Sequence, residues 1–333
     1  MRQWTATAFL QASGMFWESF ALHAALALDV FTPLAAGPLP IEELARQTGC
    51  SRRGLDMLAT ALCALDLLRR TEDGRCELLP FARQYLCRGE AAYLGYMVGH
   101  HRGLVPGWSR LAEAVRTGRD VCDTAPPPTE NRECFLMGMR NVANAQASLS
   151  VPHIDLGGRQ RLLDLGGGTG AYAVRFCREH PELTATVFDL PASRPFAERV
   201  LQEEGLTDRI RFVAGDFTRD ALPSGFEVAW LSQILHGLHR DTAAEVVRKA
   251  GQALTDGGLL LIQEFALDDD RMGPLHPALF SLNMLVGTRD GQAYTQAELT
   301  AFMHAAGADE VRVLPLELPQ GCRILAGTIR HGR

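Results

Sequence analysis

Residues 161–170 read RLLDLGGGTG, and this stretch decides the fold. An apolar run of strand length reaches Asp164 and Leu165, and Gly166, Gly167, Gly168 and Gly170 follow before a helical pattern begins. Glycines lack a Cβ, so the backbone can turn sharply and a ligand can come close. The helix start just beyond presents free N–H groups. By itself this strand–turn–helix unit serves several nucleoside cofactors alike.

Working outward, four more apolar runs of strand length follow: TATVFDL (184–190), RIRFVAGD (209–216), EVAWLSQI (227–234) and GLLLIQEF (258–265). Helix-length segments or turns separate them, the pattern of a doubly wound parallel sheet. Asp189 closes the second run, 19 residues after Gly170, where a carboxylate can accept hydrogen bonds from ribose hydroxyls. Asp216 closes the third and is followed by Phe217, a carboxylate for an exocyclic amine and a ring to pack near a purine. An aspartate at a strand end is as often a helix cap as a ligand contact. Three successive strand ends carrying such groups, on the edge where open α/β sheets bind ligands, argue for a site.

Upstream, the chain reads as helices. Phe16, Phe20, Ala24, Leu28 and Phe31 recur at helical spacing, and a buried amphipathic helix is expected there rather than a secretory leader or a membrane span, because Glu18 and His23 interrupt the apolar run. PLPIEELARQTGC (38–50) starts a helix that stops at Gly49, Ser51 is placed to cap the next, and Asp73-Gly74 turns a short hairpin in LLRRTEDGRCELLP (67–80). Helix–turn–helix plus hairpin is a winged-helix pattern. Further helical pattern at Trp108, Leu111 and Val115 leads to a loop at Pro126-Pro127-Pro128. The expected division is a winged-helix-like domain over 1–100, connecting helices over 101–155 and the α/β domain over 156–333.

At 333 residues, 47% hydrophobic and 22% charged, the chain is long enough for two domains and ordinary for globular protein. A net charge of −6 gives no whole-chain basic footprint for nucleic acid or anionic lipid. The eight cysteines form no C-x-x-C pair, and no histidine grouping marks a metal site, so reduced thiols in a cytoplasmic protein without metal are expected.

The motifs LLDLGGGTG, VFDLP, VAGDF, ILHGLHRD, LLLIQE and LNMLVGTRDGQAYT, taken in order, resemble those of the two-domain S-adenosylmethionine-dependent O-methyltransferases of the caffeate and acetylserotonin type, over nearly the whole chain. EELARQTGCSRRGLDMLATALCALDLLRR (42–70) resembles that family's helical dimerisation domain. The resemblance implies a Rossmann-like catalytic domain, S-adenosylmethionine as cofactor, a homodimer, and residues 10–20 reaching the partner's pocket. Within the matching motifs it implies cofactor contacts by Asp164, Gly166, Gly168, Asp189, Leu190, Gly215, Asp216, Phe217, Ser232 and Leu238, with Asp189 on the ribose, Asp216 and Phe217 at the adenine and Ser232 near the methionine end. Asn283, Met284 and Thr288 would line the acceptor pocket; Met97, His101, Trp108, Phe135 and Met139 are candidates for its other wall.

In the family the histidine of ILH is the general base, and His236 matches it. A neutral phenol, with a pKa of about 10, is a poor nucleophile, and a neutral imidazole can take its proton near neutral pH. Glu264 matches a family acid that orients the ring. Two positions depart from the pattern: Gly237 stands where relatives often carry aspartate, and Ala293 where a second glutamate is usual. Tyr294 or His239 are candidates to compensate. The expected activity is methyl transfer to a hydroxyl of a small aromatic or polycyclic acceptor. The departures keep open hydroxylation or decarboxylation on the same fold, and the winged helix keeps open a non-catalytic DNA-binding ligand sensor, which Arg52 and Arg53 alone support poorly.

Overall fold

The computed structural model describes residues 3–121 and 129–331; Cys122 and the proline loop expected at 126–128 lie outside them. Chain contacts divide into two compact units, residues 1–103 with 127–141, and residues 104–126 with 142–333.

The first unit is helical apart from one hairpin. Ser51 caps the helix Arg52–Ala64, its Oγ accepting from Gly54 N–H at 3.2 Å. Gly49, at φ 67°, ends the helix Ile41–Thr48 in the left-handed conformation that glycine adopts without strain. Strands β1 (Leu68–Arg70) and β2 (Cys76–Leu78) pair antiparallel around Gly74. Leu34, Leu44, Leu55, Leu62 and Leu68 form the core of this unit. Arg52, Arg69, Arg70 and Arg75 each pair with a carboxylate (Glu42, Glu77, Asp56 and Asp73), which further weakens a phosphate-binding face.

One expectation is corrected here. The helix Phe16–Ala27 forms, but its aromatic face is not buried: Phe16, Trp17 and Phe20 are at least half exposed, and the preceding helix Ala6–Gly14 buries no residue. Periodicity located the helix; burial falls instead on Ala25 and Leu26.

The second unit holds a seven-stranded sheet among the described residues. Its strands are β3 (Arg161–Leu165), β4 (Thr184–Asp189), β5 (Ile210–Ala214), β6 (Phe226–Ser232), β7 (Leu254–Phe265), β8 (Ala308–Val313) and β9 (Cys322–Ile329), in the order β5-β4-β3-β6-β7-β9-β8. The first five are parallel and are the five runs read from the sequence; β9 runs antiparallel between β7 and β8. The runs are largely apolar because both sheet faces are covered over most of their length. Leu163, Ala229, Leu231, Leu260 and Ile262 meet the helices Arg240–Ala253 and Gln296–Ala305 on one face, while Leu162, Val228, Trp230 and Leu261 meet Ala171–Glu179 on the other. Strand order reverses between β3 and β6, so the carboxyl ends of these two strands open the crevice where such sheets bind ligands. Among the described residues no helix is long and apolar enough to cross a membrane.

Candidate functional site

The glycine turn after β3 is held from below and from the side. Asp164 is 1% exposed, and its Oδ2 accepts from Ala173 N–H at 3.2 Å, tying the strand to the start of the next helix. Burial pushes its carboxyl up to about 7. A Cβ on Gly167 would stand 2.5 Å from that carboxyl carbon. Gly166, at φ 68°, has no room for a side chain, since a Cβ would lie 2.6 Å from Ile234 and 3.2 Å from the Phe217 ring. Gly215 is required by packing, because a Cβ there would strike the Phe188 ring at 2.3 Å.

Asp189 reaches across from β4. Its Oδ2 accepts from Gly168 N–H at 2.8 Å, and its Oδ1 from Leu190 N–H at 2.7 Å and the Ser193 hydroxyl at 2.8 Å. Three donors leave room on two carboxylate oxygens for a further one. Asp216 uses Oδ1 for the Thr218 N–H and hydroxyl, at 2.9 and 2.6 Å, which hold its carboxyl below the usual range. Phe217, just past β5, and Leu238, after the turn that follows β6, pack against the core, Leu238 with its carbonyl taken by the Tyr294 hydroxyl at 2.6 Å, and Leu190 is about half exposed. The crevice therefore offers a cradle that only glycine permits, with half-buried carboxylates at two neighbouring strand ends. These features fit a nucleoside cofactor.

Beside it, at the ends of β6 and β7, lies a buried polar cluster that sequence reasoning missed apart from Ser232. Gln263 Nε2 lies within hydrogen-bond distance of Gln146 Oε1 at 2.7 Å, the Tyr172 hydroxyl at 2.5 Å and Ser232 Oγ at 3.3 Å, and its two hydrogens are shared among them. Gln233 also donates to Gln146, at 3.2 Å, and Gln263 Oε1 is buried without a partner among the described residues. Gln146 and Gln263 are 117 residues apart, and no local pattern links them.

His236 lies in a short 3-10 turn, Leu235–Gly237, just past β6. Its Nδ1 is 2.7 Å from Glu264 Oε2, and Glu264 is 2% exposed. Glu264 Oε1 also accepts from Leu235 N–H at 2.8 Å and His236 N–H at 3.4 Å. A carboxylate only accepts, so a neutral imidazole in this contact carries its proton on Nδ1 and leaves the Nε2 lone pair free. The two residues meet because β6 and β7 pair in parallel with Ser232 opposite Gln263. The imidazole packs edge-to-face on Phe280, with centroids 4.7 Å apart, and Phe280 in turn packs on Phe265 at 4.8 Å and stacks on His276 at 6.2 Å. Neither proposed substitute for the missing acids serves the ring. The Tyr294 hydroxyl is spent on Leu238, and His239 caps the helix Arg240–Ala253 by accepting from Asp241 N–H at 3.3 Å. Ala293 is fully buried, and a side chain on Gly237 would meet open space.

The helix Leu275–Gly287 presents Phe280, Asn283 and Met284 at helical spacing. Asn283 Oδ1 accepts from the Trp108 indole N–H at 2.8 Å, and Met284 is buried. The Thr288 hydroxyl closes the end of this helix, donating to Met284 C=O at 2.7 Å and accepting from Gly291 N–H at 3.0 Å. Met139 is half-buried on the helix Thr129–Ser150. Among the described residues no group of three or more His, Cys, Asp or Glu could hold a metal ion.

Residues 108–309 match the model of the O-methyltransferase domain, and residues 10–88 that of the O-methyltransferase dimerisation domain. The chain is 38% identical over 326 residues to the 3-hydroxy-5-methyl-1-naphthoate 3-O-methyltransferase of Streptomyces sahachiroi, covering 95% of this chain and 93% of that protein. It is 35% identical over 319 residues to the tetracenomycin polyketide synthesis 8-O-methyl transferase of Streptomyces glaucescens, covering 93% of each. Among solved structures, human N-acetylserotonin methyltransferase in complex with S-adenosylmethionine superimposes with a TM-score of 0.87 at 26% identity, covering 98% of this chain and 99% of that one.

Proposed function

This chain belongs to the S-adenosylmethionine-dependent O-methyltransferase family, and from that premise we propose that it methylates a phenolic hydroxyl of a small aromatic or polycyclic acceptor with His236 as the general base. The bound cofactor supplies an electrophilic methyl group on a sulfonium. Gly166, Gly168 and Gly215 shape the bed for it; Asp189 takes the ribose hydroxyls, Asp216, Phe217 and Leu238 the adenine side, and Leu190 flanks the strand end. Asp164 acts from beneath, holding the loop, and Ser232 with the buried glutamines lies toward the amino-acid end.

The observation that carries the base assignment is the 2.7 Å contact between His236 Nδ1 and a Glu264 carboxylate that is almost wholly buried. With Nδ1–H held by Glu264, Nε2 takes the proton of the acceptor hydroxyl, while the cofactor, when bound, would supply the methyl group by giving up its S–CH3 bond and leave as S-adenosylhomocysteine. The imidazolium that forms is paired at once with the carboxylate, and in a site this dry that pairing is worth more than in water. Asn283 and Met284 are the acceptor-side contacts, with Thr288 contributing through the helix end. The naphthoate and tetracenomycin relatives support an aromatic acceptor. The exposed aromatic face of residues 9–20 and the matched dimerisation domain support a homodimer built on that face.

Radiolabelled methyl transfer to a set of hydroxyarenes tests this reading, comparing the wild type with His236→Ala. Loss of about 10²–10⁴-fold in rate, with binding of S-adenosylhomocysteine retained, is expected. Equal turnover by the variant removes His236 from its role. Product mass separates methyl transfer, a gain of one methylene, from oxygen gain or carbon dioxide loss.

A further inference from the structure

We propose that Trp108 is a positioning residue that fixes the polarity of the acceptor pocket, so that the enzyme selects acceptors carrying a hydrogen-bond-accepting oxygen, such as a carbonyl, in addition to the hydroxyl that is methylated. The inference rests on the acceptor site assigned above and deepens it. An indole N–H can only donate, so the atom of Asn283 that faces it at 2.8 Å is the amide oxygen, whichever way the amide is drawn. The Asn283 NH2 is then turned the other way. Among the described residues no protein group accepts from it, and Asn283 is half-buried rather than sealed. Asn283 lies one helical turn beyond Phe280, whose ring touches that of His236, so the two free N–H groups belong to the helix that borders the base.

The indole itself is held in place. Just after it, Leu111 and Ala114 join Val121, Leu285 and Val286 in a small apolar cluster. Val121 N–H donates to Val286 C=O at 3.1 Å, and Arg110 reaches Val121 C=O at 2.6 Å. These contacts fasten the segment after Trp108 to the helix that bears Asn283. The amide is thereby locked as a donor before any acceptor arrives, and a ligand presenting only donors or only hydrocarbon at that point leaves two N–H groups unpaired. A site built to hydrogen-bond a substrate rejects analogues lacking the partner more strongly than an apolar pocket does.

The experiment uses matched hydroxynaphthalenes that carry, at one and the same ring position, a methyl ester (acceptor only), an isopropyl group (neither) or an aminomethyl group (donor only when protonated), in several positional sets. Values of kcat and KM are measured for the wild type, Trp108→Phe and Asn283→Leu. The wild type is expected to favour the ester over the isopropyl compound about tenfold in kcat/KM in at least one set, mainly through KM. In Trp108→Phe the freed amide can turn, so the preference falls to about twofold or less and the aminomethyl compound gains relative to the other two. Asn283→Leu abolishes the ester preference without that gain. If Trp108→Phe lowers all three compounds by one common factor, Trp108 is merely packing and the inference is wrong. It is equally wrong if the wild type turns over these compounds with no ester preference in any set. If no compound in any set is turned over, the aromatic acceptor class falls, and this inference with it.

Discussion

Glu264→Gln isolates the orienting acid with the smallest change in shape. Its two oxygens accept three donors, Leu235 N–H at 2.8 Å, His236 N–H at 3.4 Å and His236 Nδ1–H at 2.7 Å. A carboxamide has one oxygen for those donors, and its NH2 must face one of them. If the oxygen stays with the backbone pair, the NH2 donates toward Nδ1, and the ring must then carry its proton on Nε2, the atom the acceptor hydroxyl needs bare. If the oxygen turns to Nδ1, the NH2 opposes the Leu235 N–H in a pocket that is only 2% exposed. Either way a charge-assisted hydrogen bond is lost, worth about 1.5–3 kcal/mol, and the developing imidazolium loses its counter-charge. At about 1.4 kcal/mol per tenfold, kcat/KM should fall by about 10- to 150-fold, less than for His236→Ala. The assay is radiolabelled methyl transfer to a hydroxyarene that the wild type turns over. Calorimetric affinity for S-adenosylhomocysteine reports that the cofactor bed is intact. A variant within twofold of the wild-type rate, binding that ligand normally, would refute the orienting role.

Gly166→Ala should weaken S-adenosylhomocysteine binding at least tenfold in the same calorimetry, because φ 68° costs an L-residue about 1–2 kcal/mol and the new methyl would meet Ile234 at 2.6 Å; unchanged affinity would mean the cofactor lies elsewhere. Gly237→Asp, whose Cβ would have no atom within 4 Å, should fold normally by thermal melting and change kcat by less than about tenfold, since an intact Glu264 already holds the ring. Ser51→Ala should cost about 1 kcal/mol in urea unfolding by removing the cap on Gly54 N–H. Asp164→Asn addresses pH. Burial raises this carboxyl from 3.8 to about 7, so the folded chain keeps a proton that the unfolded chain has released. The stability this contributes is full below the unfolded value and is lost as pH rises through about 7, so the wild type should lose ground against the asparagine variant between about pH 4 and 7 in urea titrations. A constant difference across that range would show that the carboxyl is ionised throughout.

The parallel strands were legible because β3, β4, β6 and β7 are covered on both faces over most of their length and so appear as largely apolar runs ending in turn residues. The β9–β8 edge of the sheet was not. In β8 exposed residues interrupt buried and partly buried ones, and β9 returns antiparallel beside β7, a choice of partner made some sixty residues away that no local pattern records. The N-terminal helix shows the same limit. Spacing at Phe16 and Phe20 specifies a helix with one apolar side, but says nothing about whether this chain or another covers that side. Phe280, Phe265 and His276 around the base were also out of reach, because aromatic packing across separate elements leaves no signature in spacing.

His236 and Glu264 are the instructive case. They are 28 residues apart, and family resemblance alone paired them at the level of sequence. Physically the pairing follows from one fact of topology. With β6 and β7 neighbouring and parallel, and Ser232 opposite Gln263, the end of β7 comes level with the turn that carries His236 just past β6. Side chains alternate along a strand, so Gln263 and Glu264 point to opposite faces: Gln263 to the Gln146–Tyr172 cluster, Glu264 to the imidazole. A one-residue slip between these strands would exchange the two, placing an amide under the base and a carboxylate in the polar cluster. Residues 259–262 are apolar on both faces, so what opposes that slip is Gln263 and Glu264 themselves, each hydrogen-bonded on its own side of the sheet. The register that sets Ser232 opposite Gln263 is thus the one that aims the acid at the base.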